Sequence, residues 1–171
     1  MPAEKRNPDL SPPKVGPLAG KLEEAVANEA AANEIAVTLR VGGGLRGQEY
    51  HYEFSTTGGA RVRCRLRDAM KRREMERESA TLQKNDFKRL LRQIQASKIL
   101  TRPEEPPRFL PDTVVGVLEI SDGQTTQRIW FAADEDQAEV QNKKMPPGVA
   151  KIVEMIYAMG ARILKTRSII P

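Results

Sequence analysis

The sequence predicts an α+β fold in which an antiparallel sheet of about five strands carries two core helices. Three observations lead to this prediction. Apolar and polar residues alternate from Ile35 to Leu66, which is typical of half-buried strands. The apolar spacing becomes helical in two later segments, 85–100 and 148–164. An Asp-Gly pair at 122–123 separates β-branched and aromatic runs, a strong hairpin signal.

The first predicted strands come from the segments 34–41, 48–57 and 60–66, joined by glycine-rich turns. In the third strand, Val62, Cys64 and Leu66 are predicted to point inward while the arginines between them point outward. The two strands on either side of the Asp-Gly turn then complete the sheet. This arrangement predicts one polar sheet face lined by long basic side chains.

The first core helix is predicted to start at an N-cap on Asn85 and to bury Phe87, Leu90, Leu91 and Ile94. Between sheet and helix, RDAMKRREMERESATL combines strong helix formers with few large apolar residues, which predicts an exposed basic helix or a mobile connection. In the proline-bound connection that follows the helix, Phe109 and Leu110 are expected to reach the edge of the core. The second core helix follows Pro146 and Pro147.

The N-terminal residues 1–33 are predicted to form a tail outside a single α+β domain at 34–171. Five prolines and few large apolar residues in the first 20 positions favour disorder. The segment 18–33 is rich in alanine and glutamate, so a short helix is the alternative, although its apolar stripe is too thin to predict firm docking. The sequence leaves these two interpretations open.

Composition indicates a soluble cytoplasmic protein. The single cysteine, Cys64, excludes an intrachain disulfide and favours a reducing compartment. The N-terminus lacks the apolar run of a secretory signal, and no stretch of 18 uncharged apolar residues predicts a membrane span.

The sequence offers few groups for catalysis or metal binding. One histidine, His51, and one cysteine cannot supply the usual zinc ligand sets or a histidine-assisted nucleophile. The glycine-rich segment 42–47 precedes a strand, whereas a phosphate-binding loop precedes a helix. The acidic residues 134–136 lack the further oxygen ligands of a calcium site. We therefore expect no enzyme, no cofactor and no metal.

The candidate binding residues cluster in a basic segment that carries eight basic and four acidic residues between positions 60 and 78. The formal net charge of the whole chain is +5, so most of the excess lies here. The basic members are Arg61, Arg63, Arg65, Arg67, Lys71, Arg72, Arg73 and Arg77. Two interpretations remain: the segment binds a polyanion through phosphate contacts, or it is a solvated face of the fold.

Three aromatic residues are added to these candidates. Tyr50 and Tyr52 would form a base-stacking platform beside the arginines if strand register placed them on the same face. Trp130 alternates with Ile129 and Phe131, so it is expected to be exposed and to act as an anchor for a protein partner.

The order of motifs resembles the emfourin-like family, proteinaceous inhibitors of thermolysin-type metallopeptidases that use no cofactor. The similarity spans about residues 34–160 and comprises VGGGLRG, the helix NDFKRLLRQI, the hairpin VVGVLEISDGQTTQRIWF and a closing helix after Pro-Pro. It implies a non-catalytic protein-binding module whose partner is another protein, and it assigns no inhibitory residue to a position of this chain. The alternative is nucleic-acid binding through residues 61–77.

Overall fold

The part of the chain that the structure describes forms an antiparallel sheet of six strands, one more than the approximate number predicted. The computed structural model describes residues 16–43, 50–68, 73–79, 82–101, 108, 113–133 and 145–165. In chain order the strands are β1 (Ala36–Gly43), β2 (Tyr50–Thr57), β3 (Arg61–Asp68), β4 (Arg73–Ser79), β5 (Val114–Ser121) and β6 (Thr126–Ala132). Their order in the sheet is β4-β3-β2-β1-β5-β6. The predicted α+β class is confirmed.

The described helices pack on one side of the sheet. They are α1 (Pro17–Ala27), α2 (Glu29–Ala32), α3 (Lys84–Ser97) and α4 (Pro147–Leu164), with a 3-10 turn at Ile99–Thr101. Helix α3 contacts both α4 and α1, while α4 also contacts β3 and β4. The buried apolar side chains of sheet and helices form one cluster. We call the other side of the sheet, which none of the described helices covers, the open face.

The alternation predicted for β1, β2 and β3 is confirmed. Val37, Leu39 and Val41 of β1 are at most 1% exposed, and Phe54 and Cys64 on the neighbouring strands are fully buried. Helices α3 and α4 present the predicted apolar stripes to this core. A period of two in these strands and a helical period in α3 and α4 therefore direct most of the buried side chains to the interface between the two layers.

The predicted exposed basic helix after β3 is wrong, because residues 73–79 form edge strand β4. Its strong helix formers favoured a helix locally, but the backbone of this segment pairs with β3 along its whole length. A charged edge strand also discourages pairing with other chains. The connection at 69–72 lies outside the described residues, as do Phe109 and Leu110.

The predicted N-cap at Asn85 is also wrong, since the N-cap is Gln83, two residues earlier, and helix α3 begins at Lys84. The carbonyl of Gln83 accepts the N–H groups of Asp86 and Phe87 at 2.8 and 3.3 Å. These backbone bonds close the first turn without a side-chain cap.

Helix α1 forms from the segment whose structure the sequence left open. Its narrow apolar stripe nevertheless docks, with Leu18, Leu22 and Ala25 no more than 2% exposed. The helix is also held electrostatically, because Lys21 Nζ lies 3.5 Å from a carboxylate oxygen of Asp122 in the β5–β6 turn. The backbone N–H groups of Thr125 and Gln124 bond to this carboxylate and lower its pKa below the ordinary value, since they stabilise the charged form.

Thr56, on the core side of β2, offers the first test of the packing. Its hydroxyl is buried, 3% of the residue is exposed, and no described group bonds to the oxygen. Replacing Thr56 by valine keeps the shape and removes an unpaired polar atom, so we expect a gain of about 1 kcal/mol in the free energy of unfolding. Urea denaturation checks this, and a loss of stability would show that the hydroxyl has a partner.

Candidate functional site

The open face displays the arginines of β3. Arg61, Arg63, Arg65 and Arg67 alternate with buried residues along this strand, so their side chains share one surface, as the sequence predicts. Sequence reasoning missed the acidic residues beside them. The antiparallel register sets Glu78 opposite Arg63, Glu76 opposite Arg65 and Glu74 opposite Arg67.

Ion pairs join the two strands across this register. Arg65 donates to the same Glu76 oxygen from Nη2 at 2.7 Å and from Nε at 3.0 Å. Glu76 also lies 3.5 Å from Arg63 Nε, and Glu74 lies 3.8 Å from Arg65 Nε. The hydrogen bond to Glu76 raises the pKa of the Arg65 guanidinium, so this group stays charged. Exposed pairs of this kind contribute little stability, but they fix side-chain positions and neutralise the surface.

One row of side chains crosses all six strands of the open face. It runs Glu76, Arg65, Glu53, Arg40, Val117, Trp130. The charges alternate over the first four strands and give way to partly exposed apolar residues on β5 and β6. We call Val115, Val117 and Trp130 the apolar end of the open face. Trp130 is exposed in part, consistent with its predicted position opposite Ile129 and Phe131.

A cleft of about 560 Å³ lies where the charged and apolar parts meet. Gly42 and Gly43 of β1 form part of its floor, and His51 of β2 lies beside them. The imidazole of His51 covers Gly42 so closely that a methyl group there would overlap Nδ1. Arg67, Glu53 and Val115 also line this cleft. The cleft therefore presents cationic, anionic and apolar groups side by side.

Tyr52 does not take part in the predicted base-stacking platform of tyrosines and arginines. This residue is 1% exposed and lies on the core side of β2, opposite Leu66 of β3, so it cannot stack on a base beside the arginines. Its hydroxyl donates to the carbonyl of Ile156 at 3.4 Å and accepts from Cys64 Sγ at 3.6 Å. The side chain of Tyr50 lies outside the described part of the protein.

The basic segment does not form a single surface. Arg73 and Arg77 belong to β4, but they alternate with its glutamates and so point away from the open face. Lys71 and Arg72 are outside the described residues. Among the described residues, the arginines of the open face are Arg61, Arg63, Arg65 and Arg67 on β3, Arg40 on β1 and Arg128 on β6.

Cys64 has the structural role that its alternation predicts. It is fully buried, and burial raises the pKa of its thiol to about 11, so the reactive thiolate is scarce at neutral pH. His51 is exposed, as predicted. Over the described ranges, no three or more His, Cys, Asp or Glu side chains are grouped to hold a metal ion. Residues 134–136 fall outside those ranges.

The fold and this face define a two-layer α+β protein with an open, mixed-charge sheet surface. The chain matches no protein-family model, and no curated protein shows significant similarity to it. The emfourin-like resemblance therefore remains a prediction. Among the helices that the structure describes, none has the length and apolar character needed to cross a membrane.

Proposed function

We propose that the chain is a non-catalytic protein-binding module that uses its open face. One observation supports this proposal most strongly: a partly exposed tryptophan and two valines continue directly into a row of alternating charges. Tryptophan and arginine are enriched at the centres of protein interfaces, where they combine apolar area with directed hydrogen bonds. Trp130 is the anchor of the proposed interface; Val117 lies next to it on the same row, and Arg40 and Glu53 follow on the next two strands.

The charge balance of the open face favours a polypeptide partner over a nucleic acid. A phosphate backbone would have to compete with Glu76 for Arg65, and Glu53 lies opposite Arg65 on the other neighbouring strand. A protein surface of mixed charge can instead match both signs. The alternative of nucleic-acid binding through residues 61–77 is for this reason less well supported.

A thermolysin-type metallopeptidase is the first partner to test, because the motif order resembles the emfourin-like inhibitors. In this proposal the open face would lie against the peptidase and Trp130 would be buried on binding. The chain would act by occupying a surface of the enzyme, and it would need no chemistry of its own.

Trp130→Ala should weaken this association at least tenfold, or about 1.4 kcal/mol, because a buried aromatic anchor is lost. Calorimetric titration of a purified thermolysin-type peptidase, with its activity followed in parallel, measures the effect. Lys151→Ala is the matched control, since Lys151 is exposed on α4, away from the open face, and its replacement should change nothing.

If no thermolysin-type peptidase binds at micromolar concentrations, the inhibitor version is wrong. The wider proposal is then tested by comparing proteins captured from lysate by the wild type, Trp130→Ala and Lys151→Ala, all after nuclease treatment. Retention of the same proteins by all three would contradict it. Nuclease-sensitive capture, with affinity for RNA or DNA that falls log-linearly with salt, would favour the alternative.

A further inference from the structure

A second cavity, of about 380 Å³, lies between the α1–α2 junction, the β2–β3 turn and the start of α3. It shares no lining residue with the cleft on the open face. Its volume falls within the range of small-molecule sites, roughly 300–1,000 Å³.

The inner wall of this cavity is apolar. Phe87 and Leu91 of α3 line it together with Leu82 and Ala25, and each is less than 10% exposed. Gly58, Gly59, Ala60 and Ala32 also line the cavity and contribute only backbone and methyl groups to it. Both glycines have positive φ, at 60° and 69°, so a larger residue is strained at either position.

The close approach of the turn to α3 shapes one side of the cavity. A methyl group on Gly59 would lie 2.9 Å from Cβ and Cγ of Phe87, and one on Gly58 would lie 2.8 Å from Cα of Asn33. The backbone N–H of Leu82 also bonds to the carbonyl of Gly59 at 3.0 Å. These contacts hold the wall in place, so the cavity is preformed.

The mouth of the cavity carries a surplus positive charge. Lys84 is paired with Glu29, and this hydrogen bond lowers the pKa of the Glu29 carboxyl below its ordinary value. Lys88 lies one helical turn beyond Lys84 and also lines the cavity. Lys88 forms no ion pair within the described ranges, although it is close enough to Glu29 to help lower the pKa of that carboxyl, so these three lining groups together carry one net positive charge.

We propose that this cavity binds a small amphipathic carboxylate. Its aliphatic or aromatic body would lie on Phe87 and Leu91, and its carboxylate would meet the ammonium of Lys88. A cationic ligand fits less well, because Glu29 is already neutralised by Lys84. An uncharged apolar ligand would gain no bond from Lys88, which is exposed at the mouth. The inference concerns a site separate from the open face and does not depend on the proposed protein partner.

The probe for this site is 4-phenylbutyrate, titrated into the full chain and followed by amide chemical shifts. We expect shifts confined to residues around Gly59 and Asn85, with a dissociation constant that Lys88→Met raises about tenfold, because the charge-assisted bond is lost. Ala60→Trp should abolish binding by filling the space, and exposed Ala60 tolerates the change. The uncharged analogue 4-phenylbutanol should bind more weakly to the wild type and be insensitive to Lys88→Met.

Two controls separate this proposal from the one for the open face. Lys151→Met removes an exposed lysine elsewhere and should leave the affinity unchanged, as should Trp130→Ala. Absence of shifts in the wild type at millimolar probe would overturn the proposal, and so would equal binding by the wild type, Lys88→Met and Ala60→Trp. If the Trp130→Ala variant still binds 4-phenylbutyrate but no longer binds the protein partner, the result supports each of the two sites independently.

Discussion

Gly160→Ala is expected to destabilise the protein by about 2 kcal/mol, although alanine is ordinarily the better helix former. A methyl group at position 160 of α4 would overlap the hydroxyl of Tyr52 and lie 3.1 Å from Cys64 Sγ. Neither neighbour can move freely, because both are buried and Tyr52 is held by its bond to Ile156 and by the ring of Tyr157, 4.8 Å away between centroids. Urea unfolding followed by circular dichroism measures the loss.

Two further variants identify the cause. Gly20→Ala lies in α1 with no neighbouring atom within 4 Å of the added methyl, so it should stabilise the protein by about 0.5 kcal/mol. Tyr52→Phe removes the overlapping oxygen, so Gly160→Ala should cost much less in that background than in the wild type. If Gly160→Ala is as stable as the wild type, the helix is not seated on Tyr52 as described.

Much of this fold was predictable because its buried faces are strongly periodic. In β1 every second residue is apolar and fully covered, and in α3 the four buried residues follow helical spacing. The turn at Asp122 was equally clear, since its side chain bonds to the N–H groups that follow and Gly123 takes a positive φ of 84°. In these elements local preference and tertiary packing agree.

Edge strand β4 was missed because its pattern consists of charges. Glu74, Glu76 and Glu78 alternate as regularly as the arginines of β3, but apolar periodicity gives no signal for a strand with one large apolar residue. The net charge over residues 60–78 also conceals this alternation, because positive and negative side chains cancel in the total. The available signal was that arginines occupy every second position before the short connection and glutamates every second position after it. Two such strands can pair in an antiparallel register that sets every glutamate opposite an arginine.

The candidate site was predictable in part, because alternation along a strand shows which side chains share a face. Alternation alone placed Arg63 and Trp130 outward, and it also grouped Tyr52 with buried Phe54. The cleft could not be inferred, because its lining combines residues of neighbouring strands, such as His51 and Gly42, that only the strand register brings together. The cavity beside α3 similarly depends on α1, whose docking the sequence left open.

The docking of helix α1 can be tested by truncating a side chain that it buries. Leu22→Ala is expected to lower the free energy of unfolding by about 3 kcal/mol. Leu22 is 1% exposed and belongs to the same buried cluster as β1 and α3, so truncation leaves a cavity in the common core. Val26→Ala on the same helix serves as a control in which a less buried side chain is truncated. Its side chain is only partly buried, so the loss should be less than half as large. Chemical denaturation of both variants gives the comparison.

The carboxylate of Asp122 makes the stability of the fold depend on pH, mainly through its bonds to the N–H groups of Thr125 and Gln124 and to a smaller extent through Lys21 of α1. Because the folded state lowers the pKa of Asp122, the stability that this carboxylate provides is present above its ordinary pKa of 3.8 and is lost as the pH falls through the lower folded value. The apolar contribution of Leu22 does not titrate, so Leu22→Ala should cost about the same at pH 7 and at pH 4.5. A loss below 0.5 kcal/mol at both values would show that α1 does not dock on the sheet. The core would then begin at β1, and the cavity proposed as a ligand site would lack the wall that α1 supplies.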